Sequence, residues 1–105
     1  MSQVVSIIIV NYNAGHLLTR CLEALRKQTR RPKQIYVVDN ASRDGSCDRI
    51  AGDFPEVTLV RLEQNTGFAA ANNLAARRTE GCEWIAFLNP DAFPEPNWLE
   101  VNSEQ

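Results

Sequence analysis

Much is scarce in this chain, and each shortage closes a door. No run approaches the roughly 18 apolar residues of a membrane-spanning helix. No charged leader and cleavage site precede the apolar residues that begin at Val4, so a signal peptide is not expected. Basic residues are not in excess: 11 Lys and Arg face 13 Asp and Glu, a net charge of −2. Such a balance sets up no field to recruit nucleic acid. The basic cluster Arg26, Lys27, Arg30, Arg31 and Lys33 reads as a solvated helix end, where cations oppose the dipole. The three cysteines, Cys21, Cys47 and Cys82, are odd in number and lack metal-ligand spacing. They are expected to be reduced and buried, which suits the cytoplasm. The lone histidine, His16, sits near a predicted helix start and reads as solvent-facing or capping. The glycine-rich loops that cradle phosphates by backbone alone are missing: neither G-x-x-x-x-G-K nor G-x-G-x-x-G occurs. Linkers, internal repeats and low-complexity segments are lacking too.

What remains is the composition of one globular domain, residues 1–105, with 44% hydrophobic and 23% charged residues. A chain of this size buries roughly two-thirds of its unfolded surface, enough for one modest core. Val4 to Val10 is β-branched almost throughout and predicts a central parallel strand covered on both faces. A helix follows from about His16 to Gln28, with Leu18, Cys21, Leu22 and Leu25 on one stripe. Gln34 to Val38 predicts a second strand, Cys47 to Gly52 a short helix, and Val57 to Leu62 a third, alternating strand. Alanine-rich Phe68 to Arg78 predicts another helix, closed by Gly81. Trp84 to Leu88, bounded by turn residues, reads as a strand buried on both faces. Pro90 fits just past its end, since proline gives no amide hydrogen to a ladder. The order β-α-β-α-β-α-β implies an α/β domain, an open, mostly parallel doubly wound sheet of about four strands with helices on both faces.

All four strands run into amide- or acid-rich loops: Asn11 to Asn13, Asp39 to Asp44, Asn65 to Gly67, and Asn89 to Asp91. Open parallel sheets bind ligands at the carboxyl ends of their strands, where strand order reverses. If the fourth strand returns beside the first, Asn11, Tyr12 and Asp91 line one cleft, with Asp39 one strand away. Each loop taken alone needs only its turn chemistry, and Asp91 taken alone is a turn-former or a ligand. A diphosphate beside Asp91 calls for an intervening divalent cation, because like charges repel. Opposite charges near 4 Å are worth about 4 kcal/mol at an effective dielectric near 20. Carboxylate and phosphate oxygens suit Mg2+ or Mn2+.

VSIIIVNYN, VVDNASRDGS, NTGFAAANN and FLNPDA together resemble the N-terminal, nucleotide-sugar-binding half of glycosyltransferase family 2, of the GT-A fold. The resemblance runs from about Val4 to Trp98. The NPDA form and the Asn-Thr-Gly-Phe-Ala opening are similar to the rhamnosyltransferase branch. The likeness implies a donor site built from Val10, Asn11, Tyr12 and Asn13, with the tyrosine packed on the base. It implies Asp39 as the acid that accepts a hydrogen bond from the base, with Asn40 beside it. Asn65 and Gly67 open the next helix, which carries Asn73. Asn89 and Asp91 stand at the family's D-x-D motif, so the metal ligand is Asp91. Mg2+ or Mn2+ is the implied cofactor and a UDP- or dTDP-sugar the implied donor. Cell-surface polysaccharide synthesis is the implied setting, in the cytoplasm and at the inner face of the membrane through parts outside this chain. The chain departs from the pattern at Asn40, where a second acid is frequent, at Asn72, where an arginine is common, and at Asn89, which replaces the first acid. No residue occupies a recognisable general-base position, so no catalytic residue is assigned.

Two other readings compete. A receiver-type signalling domain is also α/β and of this length. It requires an acid pair after the first strand and an aspartate after the third, where this chain has Asn11, Asn13, Glu63 and Gln64. A non-catalytic, self-associating module is the other, because an uncovered edge at the Trp84 strand invites pairing. That reading predicts a homodimer.

Overall fold

The seven residues of β1 (Val5–Asn11) are all buried, because five of them are valine or isoleucine and apolar residues fall on both faces of the strand. In the computed structural model, residues 5–29, 31–77, 84–96 and 98 are described. The strand order is β3-β2-β1-β4, and every neighbouring pair is parallel. Here β2 is Gln34–Asp39, β3 is Val57–Arg61 and β4 is Trp84–Leu88. The helices are α1 (His16–Arg26), α2 (Ile50–Asp53) and α3 (Phe68–Arg77). β1 thus sits inside the sheet, and the fourth strand does return beside the first, so the order reverses between β1 and β4.

Successive side chains of a strand point to opposite faces, and the core divides accordingly. Ile7, Ile9 and Val37 pack with Leu18, Cys21, Leu22 and Leu25 of α1 and Ile50 of α2. Ile8, Val10, Tyr36 and Val38 pack with Ala71 and Ala75 of α3. The small alanines of α3 let that helix approach the sheet closely. After β4 the chain runs back beside α1. There the Thr29 amide donates to Pro96 O at 2.7 Å, Gln28 Nε2 donates to Glu95 O at 2.6 Å, and the Arg20 guanidinium lies 4.7 Å from the Phe93 ring centre.

Three expectations need correction. β4 is an edge strand and is not buried on both faces: Ala86 and Leu88 pack against the α1-side core, but Ile85 and Phe87 are 37% and 55% exposed. The reason is that α3 packs on β1 and β2, leaving the same face of β4 uncovered. The short helix expected from Cys47 begins only at Ile50. Ahead of it the chain makes tight turns, with Asp48 N–H donating to Gly45 O and Ile50 N–H to Cys47 O. The first helix stops at Arg26, not Gln28. Lys27 N–H turns to Ala24 O and Gln28 N–H to Leu25 O, the i→i+3 bonds that tighten a last turn. Val4, Arg78, Gly81 and Cys82 lie outside the described residues.

Candidate functional site

Parallel pairing brings three strand ends level. Asn11 of β1 stands opposite Asp39 of β2, and Asp39 opposite Arg61 of β3. Asp39 is 1% exposed, which a carboxylate tolerates only with partners. Among its partners, Asn11 Nδ2 donates to Oδ1 at 3.1 Å, Arg61 Nε lies 3.8 Å from Oδ2, and the Cys47 thiol bonds the carboxylate. Arg61 is shared with Asp48, 3.4 Å away. Above this row opens a cleft of about 560 Å³, lined by Tyr12, Asp39, Ser42, Arg43, Arg61 and Asn65 among others. The Tyr12 ring is 54% exposed, so an aromatic face is available to a planar ligand.

The loops around the cleft are laced to one another by side chains bonding backbone. Asn13, in the left-handed region at φ 51°, accepts from the Arg43 amide at 2.8 Å. Its own amide donates to Ser42 Oγ at 2.9 Å. Gly15 N–H donates to Asp44 Oδ2 at 2.9 Å and Ser46 N–H to Asp44 Oδ1 at 2.9 Å. Bonds from Ser46, first its hydroxyl and then its amide, hold the Asp44 carboxyl below the usual range. Asn40 Oδ1 accepts from the Thr66 amide at 2.8 Å, and Asn65 Oδ1 from Gly67 N–H at 2.9 Å. Gly67 has φ 86°, a conformation open to glycine without strain.

The structure therefore sorts the expected residues. Tyr12, Asp39 and Asn65 line one cleft. Val10 is a core side chain beside Ile8 and Val38, so only its backbone is left for a ligand. Asn11 and Asn40 are 0% and 3% exposed and face protein partners. Asn13 and Gly67 shape loops. Asn73 is exposed on α3. Asn89 and Asp91 are exposed in the turn after β4, where Ala92 N–H donates to Asn89 O at 3.0 Å.

Asp91 does not line the cleft that holds Tyr12; it stands beyond β1, on the β4 side of the sheet. There it acts on Cys21 of α1, whose thiol is pushed up to about 12, first by burial and then by the Asp91 charge. Cys47 is likewise raised to about 12 by burial and by Asp39, so both thiols stay protonated near neutral pH.

Nothing in the sequence by itself marks Ser42, Arg43 and Arg61 as lining the cleft. The register that sets Arg61 against Asp39 was the missing signal for one, and the side-chain bonds of Asn13 for the other two.

Among the described residues no three His, Cys, Asp or Glu side chains gather to hold a metal. An exposed aspartate with an amide neighbour nonetheless fits Mg2+ or Mn2+, which take one or two protein carboxylates and fill the remaining positions from phosphates and water. No described helix is long and apolar enough to cross a membrane.

An open parallel sheet with a polar cleft at its carboxyl edge is the doubly wound α/β architecture, the class whose ligand crevices lie beyond the carboxyl ends of the strands. The family is then settled by comparison. Residues 6–101 match the family model Glycosyl transferase family 2, and the chain belongs to that family. Glycosyltransferase GlyG of Streptococcus pneumoniae is 31% identical over 108 residues, covering 100% of this chain and 36% of that protein. An N-acetylglucosaminyl-diphospho-decaprenol L-rhamnosyltransferase of Mycobacterium tuberculosis is 30% identical, covering 96% of this chain and 36% of its own length. Among solved structures, S. aureus TarS 1–349 in complex with UDP superposes with a TM-score of 0.83 at 27% identity, over 96% of this chain and 31% of that one. The mannosyltransferase PcManGT from Pyrobaculum calidifontis, in complex with GDP-Man and Mn2+, gives a TM-score of 0.78 at 26% identity, over 98% and 31%. The fold is the one these glycosyltransferases share, and the chain spans about a third of the length of the relatives it matches.

Proposed function

We propose that this chain is the donor-binding portion of a glycosyltransferase that moves a sugar from a nucleoside diphosphate to an acceptor hydroxyl. The observation that carries the reading is the pairing, in one cleft, of the exposed Tyr12 ring with the buried Asp39 carboxylate. The ring offers a stacking face to a base, and the carboxylate accepts from a base N–H. A charge-assisted bond of that kind contributes roughly 1.5–3 kcal/mol. Arg43 and Arg61 supply positive charge at the rim. The diphosphate runs from this cleft across the end of β1 toward Asp91, and Mg2+ or Mn2+ offsets the repulsion between them. A UDP- or dTDP-sugar is the donor we infer. UDP bound to TarS and GDP-Man with Mn2+ bound to PcManGT support the ligand class. We assign no general base within these 105 residues. A cytoplasmic setting, at the inner face of the membrane and serving cell-surface polysaccharide synthesis, belongs to the same proposal.

The test is calorimetric titration with UDP and with dTDP, each with and without Mn2+. Binding that Mn2+ strengthens about tenfold or more, and an Asp91→Ala variant that loses the Mn2+ effect while keeping the metal-free affinity, are expected. Absence of binding under every condition refutes the proposal.

A second reading concerns assembly. Ile85 and Phe87 leave an apolar face on an edge strand, and such edges pair. We propose that two copies associate there. Sedimentation should give a dimer that Phe87→Lys dissociates; a monomer at high concentration rules it out.

A further inference from the structure

Asn11 is expected from its motif to touch the nucleotide, yet it is fully buried and, unlike the equally buried Asp39, it does not line the cleft. It is 0% exposed, and its Nδ2 lies among four acceptors: Ser46 Oγ at 2.8 Å, Asp39 Oδ1 and Ser42 Oγ at 3.1 Å, and Cys47 Sγ at 3.5 Å. An amide has two hydrogens to give. Asp39, an ionised acceptor, needs a donor in a site this dry, whereas the serine hydroxyls can rotate and donate elsewhere. One hydrogen therefore goes to Asp39 and the other to the serines of the β2–α2 loop. Ser42 Oγ also accepts from the Asn13 amide. Held from the Asn11 and Asn13 sides, Ser42 lines the cleft.

On the other side of the amide, Asn11 Oδ1 is buried without a hydrogen-bond partner. A valine or threonine would suit this strand position better and leave no orphaned acceptor. A local cost of that kind is expected where function requires it.

We infer that Asn11 is a positioning residue: it aims the Asp39 carboxylate and the Ser42 hydroxyl at the ligand and does not touch the ligand itself. The inference rests on the nucleotide reading above. It differs from that reading by sending the effect of Asn11 wholly through its neighbours.

The isosteric pair Asn11→Thr and Asn11→Val separates the two, since only threonine keeps a donor. In UDP titrations, Asn11→Val should bind about tenfold or more weaker than wild type, the loss of one bond to a charged group, and Asn11→Thr, whose single donor sits one bond nearer the backbone, should fall between the two. In an Asp39→Asn background the Val-against-Thr difference should fall below about twofold, because the acceptor it acts through has changed. Equal affinities for the two variants, or a difference that persists undiminished beside Asp39→Asn, overturn the inference.

If wild type leaves UDP unbound, the nucleotide reading fails on its own. The positioning claim is then read from amide NMR spectra. Asn11→Val should shift the Ser42 and Arg43 resonances further than Asn11→Thr does; resonances unmoved by Asn11→Val overturn the claim. If Asn11→Val lacks a cooperative melt, NOEs in wild type decide. Asn11 Nδ2 protons should show contacts to Cys47 and none to bound UDP, and a contact to the nucleotide overturns it.

Discussion

Replacing Tyr12 with alanine separates binding from folding more cleanly than any other change in this chain. A tyrosine presents about 150–250 Å², and Tyr12 is 54% exposed, so roughly 100 Å² of it faces water. A base laid on one face of the ring covers about half of that area and hides a similar area of its own. At about 25 cal/mol per Å² the two surfaces together contribute about 2.5 kcal/mol, within the range of about 1–3 kcal/mol for base–aromatic stacking. Tyr12→Ala should therefore weaken UDP binding about 10- to 70-fold by isothermal titration. Half-exposed as it is, the side chain adds little to the core, so the urea midpoint should imply a stability change within about 0.5 kcal/mol. Tyr12→Phe keeps the ring and should bind within about twofold of wild type. If Tyr12→Ala binds UDP as wild type does, the base does not lie on this ring. If Tyr12→Phe loses as much as Tyr12→Ala, the hydroxyl and not the ring face is what matters.

Two further predictions concern the scaffold. Ala41, at the cleft, has φ 64°, which costs a non-glycine residue about 1–2 kcal/mol. Glycine there loses about 0.4–1 kcal/mol through the unfolded chain, so Ala41→Gly should stabilise the protein by about 0.5–1 kcal/mol in urea denaturation, and a destabilised variant contradicts the strain. Glu56 receives two bonds from Arg26, at 2.6 and 2.9 Å, and the first of these effects holds its carboxyl down to about 2 against an ordinary 4.5. Its contribution is complete above the ordinary value and is lost as pH falls toward 2. Between pH 5 and pH 2 the urea midpoint should fall less steeply for Glu56→Gln than for wild type; parallel curves refute the pairing.

Local chemistry made most of the fold legible. The Val5–Val10 run, the α1 stripe of Leu18, Cys21, Leu22 and Leu25, and the alanines of α3 each pack where their spacing put them. The alternation of strands and helices implied the parallel sheet; that β4 returns beside β1, which puts the reversal between them, is decided by the tertiary structure. Tyr12, Asp39 and Asn65 were legible as candidates for one cleft, because each lies at or past the carboxyl end of a strand and parallel strands bring those ends together.

Spacing alone could not tell which polar residues face inward. Asn11 and Asn40 read like ligand contacts, and only the tertiary structure shows that both are buried and bonded to neighbours 26 to 36 residues away in sequence. Arg61 joined the site through strand register, which no local pattern encodes. The exposed face of β4 was hidden for the same reason: Trp84–Leu88 reads as core, and it becomes an edge because α3 spends its short apolar face on β1 and β2. Composition and periodicity thus determined the elements and their order. Pairing across the sheet decided which side chains reach the cleft, because burial and partners are properties of residues far apart in the chain.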